Sequence, residues 1–204
     1  MEFYEVIEKR RTCRDWQHKD VPLSTVKRII NAGLKAPTNN HLREWEFILL
    51  HTPEEKAKAL RFTKAAVAEF EKNNPLASLP DKIQHNMYAY AMPRQYSMLF
   101  DAPYVIIPLF KADTLRANSV DELNAFASIW CVIENIFLAA TAEGLGYSMS
   151  VPVGAEGAAV CKELNVPAGY LMPVFIGIGH SDSRAPKMEQ HTCTAEEKIH
   201  FGTW

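Results

Sequence analysis

The run Phe126-Ala127-Ser128-Ile129-Trp130-Cys131-Val132-Ile133-Glu134-Asn135-Ile136-Phe137-Leu138 lies at the centre of a stretch, residues 120–143, that contains neither proline nor glycine. Its apolar side chains fall on more than one face of a 3.6-residue helix, and a helix apolar nearly all round must be buried nearly all round. One core in a chain of 204 residues rarely encloses such a helix completely. It is either the central core helix of a monomer or a helix whose remaining face is covered by a second copy of the chain, and the homodimer is the preferred expectation. Asp121, Glu122, Glu134 and Glu143 count against a membrane span.

Working outward, Gly144-Leu145-Gly146 ends this helix. Trp45–Leu50, Tyr104–Phe110 and Leu171–Gly179 read as strands, the last two apolar throughout as interior strands are. Pro22-Leu23-Ser24 opens a helix with Ser24 as N-cap, and Pro37 stops it. A charged amphipathic helix is expected over residues 54–72, broken at Asn73-Asn74-Pro75. Further helices are expected near residues 82–99 and over Glu156–Leu164. Thr38-Asn39-Asn40-His41 is a polar loop and Val151-Pro152-Val153-Gly154 a turn. The tail from His180 is polar and irregular, but Ile199, Phe201 and Trp204 near its end are expected to dock on another surface, the partner subunit included. No repeat or linker divides residues 1–204, so a single domain is expected.

Hydrophobic residues at 48% and charged residues at 23% indicate an ordinary globular chain, and a net charge of −2 offers no general field for nucleic acid. The four cysteines form no CxxC pair, and the seven histidines follow no HExxH rhythm, so no metal site is expected. The N-terminal residues lack the pattern of a signal peptide, and no uncharged stretch is of membrane-spanning length; a soluble, cytoplasmic protein is expected. There is no Walker A sequence and no GxSxG elbow. Gly177-x-Gly179 and Gly144-x-Gly146 lack the third glycine of a dinucleotide loop. Any chemistry is therefore assigned to a bound cofactor.

Arg10-Arg11-Thr12-Cys13-Arg14 supplies a handle for one. Phe3, Val6 and Ile7 place a short helix before it, so the arginines fall at that helix's end and in the following turn. Three cations this close repel one another unless an anion sits among them, and arginine's planar fork suits a phosphate or an anionic heterocycle. Basic residues also end helices simply because they complement the dipole there, which accounts for one or two of the three.

Several pieces in order along the chain resemble the nitroreductase family of FMN enzymes. Arg10-Arg11-Thr12-x-Arg14 resembles its R-R-S-x-R opening, and Ala36-Pro37-Thr38-Asn39-Asn40-His41-Leu42-Arg43-Glu44-Trp45 its A-P-S-x-x-N-x-Q-P-W loop. Ala139-Ala140-x-x-x-Gly144-Leu145-Gly146 resembles its A-A-x-x-x-G-L-G helix end, and Phe175-Ile176-Gly177-Ile178-Gly179-His180 its late strand.

The resemblance implies an α+β fold, with a central mixed or antiparallel β-sheet flanked by helices, and a homodimer with FMN sites at the interface. It implies that Arg10 and Thr12 hold the flavin phosphate and that Arg14 lies at the N1–O2 edge of the ring, with Arg11 a further cofactor-binding residue. Pro37, Thr38, Asn39 and His41 would come from the other subunit, and Pro152, Val153 and Gly154 would lie beside the reactive face. Arg184 and Lys187 are candidates for a second phosphate clamp. His41, Arg43 and Glu44 depart from the family's asparagine, glutamine and proline, and Arg43 and Glu44 are expected to pair. The implied activity is transfer of reducing equivalents from NADPH or NADH to a small electron-poor acceptor, a nitroaromatic or a quinone. Dehydrogenation, reductive dehalogenation and a non-catalytic flavin-binding dimer remain alternatives. Tyr88, Tyr90 and Tyr96, in a Tyr/Met-rich segment, are either a roof for a flat substrate, alongside Arg43, or core and interface residues.

Overall fold

The most apolar strand becomes the spine of the sheet. A computed structural model describes residues 1–73 and 75–204. In it β2 (Tyr104–Lys111) is buried at every position except its last. β1 (Trp45–Leu50) pairs with it antiparallel along its whole length, Trp45 opposite Phe110 and Leu50 opposite Val105. β5 (Phe175–Gly179) pairs with the other edge of β2, and β3 (Gly146–Ser150) with the far edge of β5, both antiparallel. The order is β1-β2-β5-β3, with the two-residue β4 (Tyr170–Leu171) alongside the end of β2. This is an α+β fold on an antiparallel sheet.

The strand period of two divides β2 between two cores. Tyr104, Ile106 and Phe110 face a layer built from α2 (Leu23–Gly33) and α7 (Asn124–Ala142). Val105, Ile107 and Leu109 face α3 (Pro53–Ala59), α6 (Ser97–Phe100) and α8 (Glu156–Glu163). The remaining helices are α1 (Phe3–Lys9), α4 (Arg61–Asn73) and α5 (Lys82–Ala91).

The segment Asp121–Ala142, mean hydropathy 1.6, is long and apolar enough to cross a membrane. Its inward residues Ile129, Val132, Ile133 and Ile136 are instead fully buried in the α2–α7 core. Its outward stripe remains partly apolar: Ala127, Cys131 and Glu134 are exposed, and Trp130 and Leu138 are half-buried. Phe201 and Trp204, expected to dock, are 92% and 100% exposed in the single chain.

Several boundaries differ from expectation, each for a local reason. The run Leu171–Gly179 is two strands, because Met172-Pro173-Val174 lies between β4 and β5 and Pro173 has no amide for the ladder. β3 is a strand where only a cap and a turn were expected. Its serines conceal it, since Ser148 and Ser150 are buried with their hydroxyls donating to the Met98 carbonyl (3.2 Å) and the Gln95 side chain. The charged helix divides at Leu60 into α3 and α4. The expected break at Asn73-Asn74-Pro75 includes Asn74, which lies outside the described residues. Pro22, not Ser24, precedes the first turn of α2, with no side-chain cap. Residues 82–99 are interrupted after α5 by a 3-10 turn, Met92–Arg94, at Pro93.

Candidate active site

The arginine cluster is placed by a strap across the sheet's end. α1 stops at Lys9, and residues 10–17 then run over the ends of β3 and β5. The Cys13 amide donates to the Tyr147 carbonyl (2.6 Å), and the Gln17 amide to the His180 carbonyl (2.8 Å). The Asp182 amide in turn donates to the Asp15 carbonyl (2.9 Å), which fastens the start of the tail to the strap. The approach is close enough to require Gly179: a Cβ there would lie 2.7 Å from Pro103 Cδ and 2.9 Å from Trp16 Cε3. Trp16 is fixed by its indole N–H donating to the Met98 carbonyl (2.7 Å).

Strap, tail, α5 and the end of α1 line an open cavity of about 690 Å³. Arg11, Thr12 and Arg14 line it from the strap, Lys187 from the tail, and Met87 and Tyr90 from α5. Arg14 is the telling residue. Its Nε is buried with no hydrogen-bond partner, and burial draws its guanidinium below the ordinary arginine range. A buried donor left unpaired costs about 1–3 kcal/mol, so its retention points to an acceptor from outside the chain. Among the described residues, the Thr12 hydroxyl and the Lys187 ammonium are likewise without a protein partner. Arg11 is partly committed, donating to the Met188 carbonyl (2.7 Å) and to Gln190 Oε1 (2.8 Å) and thereby holding the tail in place.

The other expected site residues are distributed differently. Arg10 does not line the cavity; it donates to the Tyr147 hydroxyl and lies 3.4 Å from Glu134 of α7. Arg184 does not line it either, being exposed and bidentately paired with Asp182 (2.7 Å), whose carboxyl it holds down at about 2. Thr38 and Asn39 border a separate recess of about 80 Å³, where the Asn39 amide donates to Ser128 Oγ of α7 (2.9 Å). Pro37, His41 and Arg43 are exposed. The expected Arg43–Glu44 pair does not form, because Glu44 faces back to Lys111 of β2 at 2.6 Å. Asn40, His41 and Arg43 all adopt positive φ (58°, 60° and 47°), so this loop is held in a conformation that L-residues seldom take.

Pro152, Val153 and Gly154 form a turn outside the cavity, with Val153 65% exposed. Glu156 fixes it, accepting from the Val153 amide (3.1 Å) and from the Thr63 hydroxyl of α4 (2.6 Å). Of the three tyrosines only Tyr90 reaches the cavity; Tyr88 is exposed, and Tyr96 stacks on Phe100 at 5.3 Å. Ser181 and Ser183 border the site, and Asp15 contacts Tyr90 there, without having been expected; Met87, which also borders it, opens the Tyr/Met-rich segment. Asp15 beside Arg14 was the readable signal; the serines come together with Thr12 only through the β3–β5 pairing.

Arg14's orphaned donor, the neighbouring hydroxyl and lysine, and an apolar end formed by Met87 and Tyr90 fit a phosphorylated flat ring such as FMN. Comparison with known proteins identifies the fold. Iodotyrosine deiodinase from Nematostella vectensis is 23% identical over 191 residues, covering 92% of this chain and 70% of that protein. The chain spans 54% to 70% of the length of the first three curated relatives it matches. A crystal structure of an iodotyrosine deiodinase bound to FMN and 3-iodo-L-tyrosine superposes with a TM-score of 0.77 at 18% identity, covering 100% of both chains. An FMN- and NADPH-dependent nitroreductase from a Sphigopyxis strain superposes at 0.75 and 18%, also covering 100% of both. The profile of the Nitroreductase family matches residues 7–180. Strap, sheet and α7 all lie inside that match, and the chain belongs to the nitroreductase family.

Proposed function

We propose that this protein is an FMN-dependent oxidoreductase that passes reducing equivalents from NADPH or NADH to a small electron-poor acceptor, a nitroaromatic or a quinone. The observation that carries the reading is Arg14, a half-buried cation whose Nε is buried without a partner, in a cavity that Thr12 and Lys187 also line. Thr12 and Lys187 would hold the phosphate, with Arg11 fastening the tail that carries Lys187. Arg14 would face the ring edge where negative charge gathers on reduction, and a fixed cation in a partly dry site favours that charge. FMN, when bound, supplies the hydride and electron chemistry. Met87 and Tyr90 shield one end of the site from water.

The functional unit in this reading is a homodimer. The outward stripe of α7, with Ala127, Trp130, Cys131 and Leu138, is an apolar face that a second copy would cover. Pro37, Thr38, Asn39 and His41 lie beside α7 but outside the cavity, a placement suited to residues given to the partner's flavin.

Reductive dehalogenation is the second reading, favoured by the deiodinases among the sequence relatives. Steady-state assays with NADPH or NADH and a nitroaromatic, a quinone or 3-iodo-L-tyrosine separate the two. Reduction of the first pair supports the proposal, and iodide release supports the second reading. Bound FMN with no turnover of any acceptor would leave a flavin-binding dimer and overturn both.

A further inference from the structure

The cavity is made of segments far apart in sequence, the strap with the end of α1, the tail and α5, so something must hold them together. The strap and the tail are joined by main-chain bonds, but α5 enters from a distant part of the sequence and contributes Met87 and Tyr90. At its far end Asp81, the α5 N-cap, pairs with His191 of the tail at 3.0 Å; both side chains are substantially exposed. At the near end the partner is Asp15. The Tyr90 hydroxyl donates to Asp15 Oδ2, and Arg94, just beyond α5, lies 3.6 Å from Asp15 Oδ1. Arg94 also covers the Tyr90 ring at 4.1 Å and donates to the Tyr90 carbonyl at 3.0 Å, so ring and guanidinium form one unit facing the carboxylate. The Asp15 carbonyl meanwhile accepts from the Asp182 amide of the tail (2.9 Å) and from the Cys13 thiol (3.0 Å). One residue thus joins strap, tail and α5.

We infer that Asp15 is a positioning residue: it latches Tyr90 and Arg94 onto the strap, so that α5 closes over whatever Arg14 binds. The inference rests on the FMN reading for the identity of the ligand, but not for the latch itself. A hydrogen bond from a neutral phenol to a carboxylate is among the stronger protein contacts, and here it spans 75 residues of sequence. Its loss frees α5 to open, which acts chiefly on the rate at which a bound ligand leaves.

The test is a mutant cycle of Asp15→Ala, Tyr90→Phe and the double variant, with Asp15→Asn as the conservative replacement. FMN release is followed by the recovery of its fluorescence after dilution. Each single variant is expected to speed release about tenfold. The double variant should be no faster than Asp15→Ala, because that variant has already lost the contact that Tyr90→Phe removes. Asp15→Asn, which keeps an acceptor oxygen, should fall between wild type and Asp15→Ala. Additive effects in the double variant would mean that the two residues act independently and would overturn the inference. Hydrogen exchange of amides 82–91 in flavin-free protein gives a second readout. Faster exchange in both single variants, with α2 unchanged, supports the latch, and unchanged exchange in α5 overturns it. If wild-type protein takes up no FMN, the functional proposal fails by itself, while exchange still decides the latch.

Discussion

Replacing Arg14 with methionine should move two quantities in opposite directions. In the flavin-free chain the Arg14 Nε is buried without a partner, and burial already weakens its hold on the proton. An unsatisfied buried donor costs about 1–3 kcal/mol, and because part of the guanidinium still meets the cavity we take the lower half of that range, about 1–2 kcal/mol. Methionine keeps most of the apolar stem without the donors, so little packing is lost. For a chain of this size about 1 kcal/mol corresponds to roughly 2–4 °C in Tm, so the flavin-free variant should melt about 2–8 °C above wild type. Affinity for FMN should fall, since a hydrogen bond to a charged group is worth about 1.5–3 kcal/mol, roughly 10- to 150-fold in Kd. Calorimetry of flavin-free protein and a titration of flavin fluorescence measure the two effects. A variant that melts lower than wild type and binds FMN as well would refute the reasoning, because Arg14 would then be an ordinary structural cation.

Further outcomes follow from other contacts. Ile133→Ala empties a fully buried position between α7 and the sheet, and should cost about 2–5 kcal/mol in urea unfolding. Gly179→Ala drives a methyl into Pro103 and Trp16, so it should destabilise by about 1–3 kcal/mol and also weaken FMN binding by displacing the strap; stability lost with affinity intact would separate Trp16 from the site. Burial, reinforced by the Asp15 carboxylate, raises the Tyr90 phenol to about 12. A raised value means that the neutral form is favoured in the folded chain, so its contribution is complete below pH 10 and is lost as pH rises through about 12. The difference in tyrosinate absorbance between wild type and Tyr90→Phe should therefore show a group titrating near 12, and a midpoint of 10 would contradict the Asp15 contact. Thr63→Val removes one of the two bonds that seat Glu156 and should loosen the turn at Val153, seen as faster amide exchange there with little change in global stability.

The parts of this fold that were readable from sequence are those where one physical signal dominates. Continuous apolar runs disclosed β1, β2 and β5, and the unbroken apolar stretch disclosed α7 within a residue or so of its C-terminal end. β3 escaped because its alternation is carried by serines whose burial depends on acceptors about fifty residues away, at Met98 and Gln95. The arginine cluster was legible as a crowd of cations in the turn after α1, but where each of them points was not. Arg10 turns to Tyr147 and Glu134, and Arg11 partly to the tail, because of where β3, α7 and residues 188–190 lie in space. Arg184 looked like a clamp until its neighbour Asp182 was seen to occupy it. Tyr90 could not be told from Tyr88 or Tyr96 by composition, since only the contact with Asp15 sets it apart.

The most direct test of the account is the visible absorption spectrum of the purified protein, taken before and after incubation with FMN and gel filtration. The account predicts flavin bands that remain with the protein at one FMN per chain. A colourless protein that retains no added FMN would contradict it.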